Sequence, residues 1–81
     1  MTITVLLFAM LRTKSGTDTV ILNMDADTPA EAIKAILLSR FPEIAAWLPY
    51  ARPAINCNYT SWNTLLRDGD EVALLLPVSG G

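Results

Sequence analysis

The chain has no histidine, and Cys57 is its single cysteine. Without imidazole there is no Ser-His-Asp or Cys-His nucleophile system, and no side chain that shuttles protons near neutral pH at its ordinary pKa. One thiol excludes an internal disulfide and a multi-thiolate zinc centre, so no metal site is expected. Charge is scarce as well: 17% of the 81 residues are charged, six Lys and Arg against eight Asp and Glu, for a net charge of −2. There is no basic run, which removes the electrostatic footprint of a nucleic-acid partner. Long apolar runs are also missing. The longest, residues 5–11 and 72–78, fall far short of the ~20 residues needed to cross a bilayer. The N-terminus carries neither a basic region nor a small-residue cleavage site, so no signal peptide and no membrane association are expected. An unpaired thiol makes the cytoplasm the expected compartment.

What the chain does have is apolar surface. Apolar residues make up 52% of it, enough for the core of one small domain that buries roughly 60–65% of its unfolded surface. Residues 2–10 read as a strand, residues 13–16 as a polar loop, and residues 19–24 as a second strand with Val20, Leu22 and Met24 on one face. Together they suggest an N-terminal hairpin. Thr28, Pro29 and Glu31 have the spacing of a capping box with proline at the first helical position. Ile33, Ile36 and Leu37 then form a helical stripe that needs a sheet to cover it. Pro42 should stop this helix near Arg40, and residues 44–48 can add a short turn. Residues 53–59 read as a third strand, with Ile55, Cys57 and Tyr59 alternating against Asn56 and Asn58. Asp68-Gly69-Asp70 is a turn, and residues 71–78 form the last strand. The order β-β-α-β-β gives an α+β fold with a mixed sheet covered on one face by one main helix. A ubiquitin-like β-grasp roll fits that order, and so do other small α+β rolls.

The first and last strands are apolar on both faces, yet a single helix covers only one. The surplus around Phe8 and Leu75 reads either as central strands covered on both faces within the domain or, as expected with one helix, as an exposed patch that docks a partner. Candidates for chemistry are few. Cys57 lies in an apolar strand on this reading and behaves as a small hydrophobe. Asp68, Asp70 and Glu71 lack calcium-loop spacing and read as a solvated turn. Tyr59 and Trp62 have no flanking basic residues and read as packing or contact residues.

The C-terminus is different. Val78 and Ser79 lead into Gly80-Gly81, where glycine contributes nothing to the fold and costs more entropy to order than any other residue. The pair provides a thin tail without side chains, ending in a carboxylate that can pass through a narrow channel.

These features resemble the MoaD family, small sulfur-carrier subunits of molybdopterin synthase, over essentially the whole chain. Phe8-Ala9-Met10-Leu11-Arg12 is similar to the family's Phe-Ala-x-x-Arg segment, Thr28-Pro29 to its helix opening and Ile55-Asn56 to its apolar-Asn pair. Asp68-Gly69-Asp70-Glu71-Val72 resembles its turn-strand, and Pro77-Val78-Ser79-Gly80-Gly81 its terminus. Leu76-Pro77 departs from the usual Pro-Pro, and Leu74 and Leu75 stand where aromatic residues are common.

The resemblance implies a ubiquitin-like β-grasp domain over residues 1–78 and a flexible tail over residues 79–81. It implies that the chain is not catalytic alone and binds no cofactor of its own. A ubiquitin-activator-like adenylyltransferase would spend ATP to adenylate Gly81, and the C-terminus would then become a thiocarboxylate. Ser79 and Gly80 would form the tail, and Phe8, Leu75 and Val78 would bind partners. The large subunit of molybdopterin synthase would be the second partner, in a heterotetramer of two small and two large subunits. Arg52 and Arg67 can pair with acidic groups at that interface. A sulfur carrier of the thiamin type, a ubiquitin-like modifier joined to lysines through Gly81, and an interaction module with an inert tail are the alternatives.

Overall fold

Alternation in the first strand decides which face of the sheet is buried. The computed structural model describes residues 1–77. Strand β1 (Thr2–Leu7) turns Ile3, Val5 and Leu7 inward, all at most 1% exposed, and Thr4 and Leu6 outward. Strand β2 (Thr19–Asn23) lies antiparallel to it, with Val20 opposite Val5. Strand β5 (Glu71–Leu75) runs parallel on the other side of β1, with Val72 opposite Val5 and Leu74 opposite Leu7. Strands β3 (Arg52–Ile55) and β4 (Asn58–Tyr59) extend the sheet, in the order β2-β1-β5-β3-β4. The first and last strands thus lie side by side near its centre.

Helix α2 (Ala32–Arg40) seals the inner face through Ile33 and Leu37, both fully buried in the cluster that holds Ile3, Val5, Leu22, Val72 and Leu74. No polar or charged side chain is buried among the described residues. Cohesion is therefore apolar, as the composition requires. Mixed sheet, parallel central pair and one covering helix make this the ubiquitin-like β-grasp arrangement expected from the sequence.

Four local expectations need correction. The first strand stops at Leu7, and residues 9–15 form a second helix, α1 (Ala9–Ser15), where a strand end and a loop were expected. Ala9, Met10, Leu11, Arg12 and Lys14 all favour helix. Ala9 at φ 51 breaks the strand direction, Leu11 is buried, and Gly16 closes the helix at φ 81 with its N–H on the Arg12 carbonyl at 2.9 Å. A continuous apolar run does not by periodicity alone distinguish a strand from a buried helical turn.

The capping box does not form either. The Thr28 hydroxyl donates to the Asp25 carbonyl at 2.7 Å, Pro29 makes a bridge with Leu65, and Leu66 N–H reaches the Thr28 carbonyl at 2.9 Å. This pairing holds the chain extended at Thr28-Pro29 and brings Leu66 into the core at 2% exposure. The helix is entered later, through i→i+3 bonds onto the carbonyls of Pro29, Ala30 and Glu31. Its end at Arg40 is as expected. The following turn is two 3₁₀ segments, Pro42–Ile44 and Leu48–Tyr50, which bury Ile44 and Leu48.

The expected third strand is a hairpin. Ile55 pairs with Asn58 across a two-residue loop in which Asn56 and Cys57 both have positive φ, 49 and 72. That is the signature of a type I′ turn. Cys57 is therefore exposed at a turn tip and not packed in a strand. Glycine at this second turn position removes a left-handed penalty of roughly 1–2 kcal/mol and returns part of it as unfolded-chain entropy. Cys57→Gly should consequently stabilise the fold by about 0.5–1 kcal/mol, a Tm rise of roughly 3–6 °C, read by thermal denaturation. The last strand is shorter than expected, ending at Leu75.

Candidate functional site

Directly opposed residues of neighbouring strands share a face. On the outer face one row runs through Thr19, Leu6, Ala73, Ala54 and Tyr59 across all five strands. Nearer the C-terminal end of β5, Leu75 stands opposite Arg52. Phe8 follows the last parallel pair, Leu7 and Leu74, in extended backbone at φ −129 and ψ 165. Phe8 and Leu75 are thus brought to the same end of the sheet by the β1–β5 register. The helices and 3₁₀ segments place their buried side chains in the inner cluster. The outer face therefore keeps Phe8 41%, Ile21 53% and Tyr59 73% exposed, with Leu6 and Leu75 half-buried. An apolar stripe of this kind is what a partner-docking face requires.

The tail root lies at the same end. Beyond Leu75, Leu76 packs against the core and Pro77 is exposed. Val78, Ser79, Gly80 and Gly81, to which the sequence assigned partner binding, tail and reactive terminus, lie outside the described residues. Charge is distributed unevenly along the strands. Arg12, Arg52 and one acidic residue, Asp18, stand at the tail end, whereas Asp68, Asp70 and Glu71 stand where β1 and β5 begin. Arg67 belongs to this second end, so the structure separates it from Arg52.

The acidic turn holds β5 in place. The Asp68 carboxylate accepts the Thr2 N–H at 2.7 Å, and the Asp70 carboxylate accepts the Arg67 N–H at 2.8 Å and the Asn56 amide at 3.1 Å. Asn56 completes the lock: its Oδ1 accepts the Glu71 N–H at 3.1 Å and its own N–H donates to the Glu71 carbonyl at 2.8 Å. The Ile55-Asn56 and Asp68-to-Val72 motifs are therefore one structural unit that fixes the strand leading to the tail. Their spacing along the chain carries no sign that they touch. Asn56→Ala loses two side-chain hydrogen bonds and an αL-tolerant residue, and should destabilise the domain by about 2 kcal/mol, measured by chemical denaturation.

Other sequence candidates lie elsewhere. Cys57 is at the hairpin tip, and Trp62 is half-buried with the Lys34 ammonium 4.6 Å from its ring centroid. Among the described residues no three His, Cys, Asp or Glu side chains gather where they could hold a metal ion, and no helix is long and apolar enough to cross a membrane.

The ThiS family model matches residues 5–81. The chain is 30% identical over 79 residues to a molybdopterin synthase sulfur carrier subunit of Arabidopsis thaliana, covering 98% of this chain and 82% of that one. Among solved structures, it is similar to SAMP1, a small archaeal modifier protein of Haloferax volcanii, at TM-score 0.88 and 25% identity over the full length of both. It is also similar, at TM-score 0.72 and 27% identity over the full length of both, to a chain of the complex of subunits 1 and 2 of molybdopterin-converting factor from Helicobacter pylori. The chain belongs to the ThiS/MoaD family of small ubiquitin-like, sulfur-carrier-type proteins.

Proposed function

We propose that this chain is the sulfur-carrier subunit of a molybdopterin synthase, working in the cytoplasm with Gly81 as its reactive terminus. The observation that carries the reading is the family match, which runs through Gly80-Gly81 in a chain without histidine. In the first step an adenylyltransferase related to ubiquitin activators binds the domain and ATP. A Gly81 carboxylate oxygen attacks the α-phosphorus, pyrophosphate leaves, and an acyl-adenylate forms. Activation is required because a carboxylate is a poor electrophile with a poor leaving group. A hydrosulfide-level nucleophile from a sulfur donor then attacks the activated carbonyl carbon, AMP departs with the C–O bonding pair, and loss of the S–H proton leaves a thiocarboxylate.

The thiocarboxylate is ionised at neutral pH and is a soft nucleophile, so it needs no base from this chain. That accounts for the composition. In the second step the large subunit receives the tail, holds the pterin precursor and supplies the catalytic side chains. Each charged carrier donates one sulfur to the dithiolene. The sulfur bonds to a pterin side-chain carbon in place of oxygen, water attacks the Gly81 carbonyl, the C–S bond breaks with its electron pair on sulfur, and the chain returns as carboxylate. Phe8, Leu75 and Val78 form the docking surface in a heterotetramer of two carriers and two large subunits.

The likeness to a small archaeal modifier protein supports a second reading, in which the activated Gly81 carbonyl is transferred to lysine amines. Intact-mass and peptide analysis of the protein from its native cells separates the two. A free chain carrying one sulfur in place of oxygen supports the carrier. Isopeptide-linked Gly81 on other proteins, with no sulfur-bearing chain, supports the modifier.

A further inference from the structure

Beside the tail root lies a cleft of about 440 Å³ lined by Arg52, Tyr59, Trp62 and the neutral side chains of Thr60, Ser61 and Asn63. Its lining contains one charge and no carboxylate. Lys34 sits against the Trp62 ring but does not line the cleft. The only ion pair among the described residues is Lys34 with Glu31, at 3.9 Å, which leaves the Arg52 guanidinium without an acidic partner among them. Arg52 is exposed and faces Leu75 across the β3–β5 pair, two residues before Pro77. A protein that draws in the tail therefore closes over this cleft.

The chemistry of the lining selects the occupant. A guanidinium presents a planar fork of donors that matches a carboxylate, and the two aromatic rings offer apolar walls for the side chain that carries it. A polyphosphate would need more than this one lining cation. We infer that Arg52 is a specificity-determining contact, and that the cleft takes a carboxylate-bearing segment of the large subunit at the mouth of the channel receiving Gly81. The inference rests on the functional reading above.

The test is the binding of wild-type chain, Arg52→Gln and Arg52→Glu to the purified large subunit, by stopped-flow and calorimetry at low and high salt. Arg52→Glu should weaken binding on the order of tenfold at low salt, mainly through slower association, with a difference that shrinks as salt is added. Arg52→Gln should lie between the two. Thermal denaturation shows whether each variant is folded, and Arg52→Gln alone decides the matter if Arg52→Glu is not. Tight wild-type binding with unchanged affinity and salt dependence in the folded variants overturns the contact and leaves the functional reading standing. Absence of wild-type binding overturns both.

Discussion

Deleting Gly81 should abolish sulfur transfer while leaving the thermal unfolding of the domain unchanged. The described core is built from side chains between Ile3 and Leu74, and glycine has no side chain to add to it. The truncated chain still ends in a glycine carboxylate, and the chemistry is not lost for want of a functional group. Position is what changes. One residue of extended chain spans up to about 3.5 Å, and misplacing a reacting atom by ~1 Å can cost about a hundredfold in rate. Thiocarboxylate formation by the adenylyltransferase should fall by at least ~10²-fold in single-turnover assays. A truncated chain charged at the wild-type rate would show that the terminus is not read by distance.

The second large effect falls on docking. Phe8→Asp places a charge at the centre of the proposed interface, where the partner would desolvate it. Losing a buried aromatic anchor costs about 2–4 kcal/mol, and an unpaired carboxylate adds to it, so affinity for the large subunit should fall by more than ~10³-fold. The fold should tolerate the change for a specific reason. Phe8 is the N-cap residue of α1, in extended backbone and with no side-chain cap bond. Its carbonyl already accepts the Leu11 and Arg12 N–H groups at 3.1 and 3.3 Å. Aspartate is among the best residues at such a position, and Phe8 is already 41% exposed. Calorimetric titration should therefore show lost binding, and circular dichroism a melting temperature equal to or above that of the wild type. Unchanged affinity would remove Phe8 from the docking surface.

Much of the architecture is legible in the chain because burial and periodicity agree there. Val20, Leu22 and Met24 alternate and are buried; Ile33 and Leu37 share one helical stripe and are buried. The outer face was legible for the same reason, since β1 and β5 hold more apolar residues than one face requires. Strong local signals mislead where tertiary pairing overrides them. Thr28 has the chemistry of a cap, yet the pairing of residues 28–30 with residues 64–66 pulls it out of the helix. Residues 53–59 alternate as a strand should, yet Asn56 turns the chain because its amide is needed by Asp70 and Glu71. Leu65 and Leu66 looked alike as a connection, and only the bridge to Pro29 makes one exposed and the other buried. The cleft beside Arg52 could not be read at all, because its lining joins residue 52 to residues 59–63 through the hairpin. The family motifs had two kinds of meaning that sequence does not separate. Asn56, Asp68 and Asp70 hold the sheet together, whereas the Gly80-Gly81 motif lies outside the described residues.

Sulfur carriage by the Gly81 carboxylate is the core of the proposed function. It is tested most directly by incubating the purified chain with its adenylyltransferase, ATP and a sulfur donor, adding the large subunit with the pterin precursor, and following intact mass through both stages. The account predicts one oxygen-to-sulfur replacement localised to Gly81 in the first stage, and its disappearance in step with dithiolene formation in the second. A chain that is adenylated but never acquires sulfur, or acquires it and retains it beside the loaded large subunit, would contradict the account.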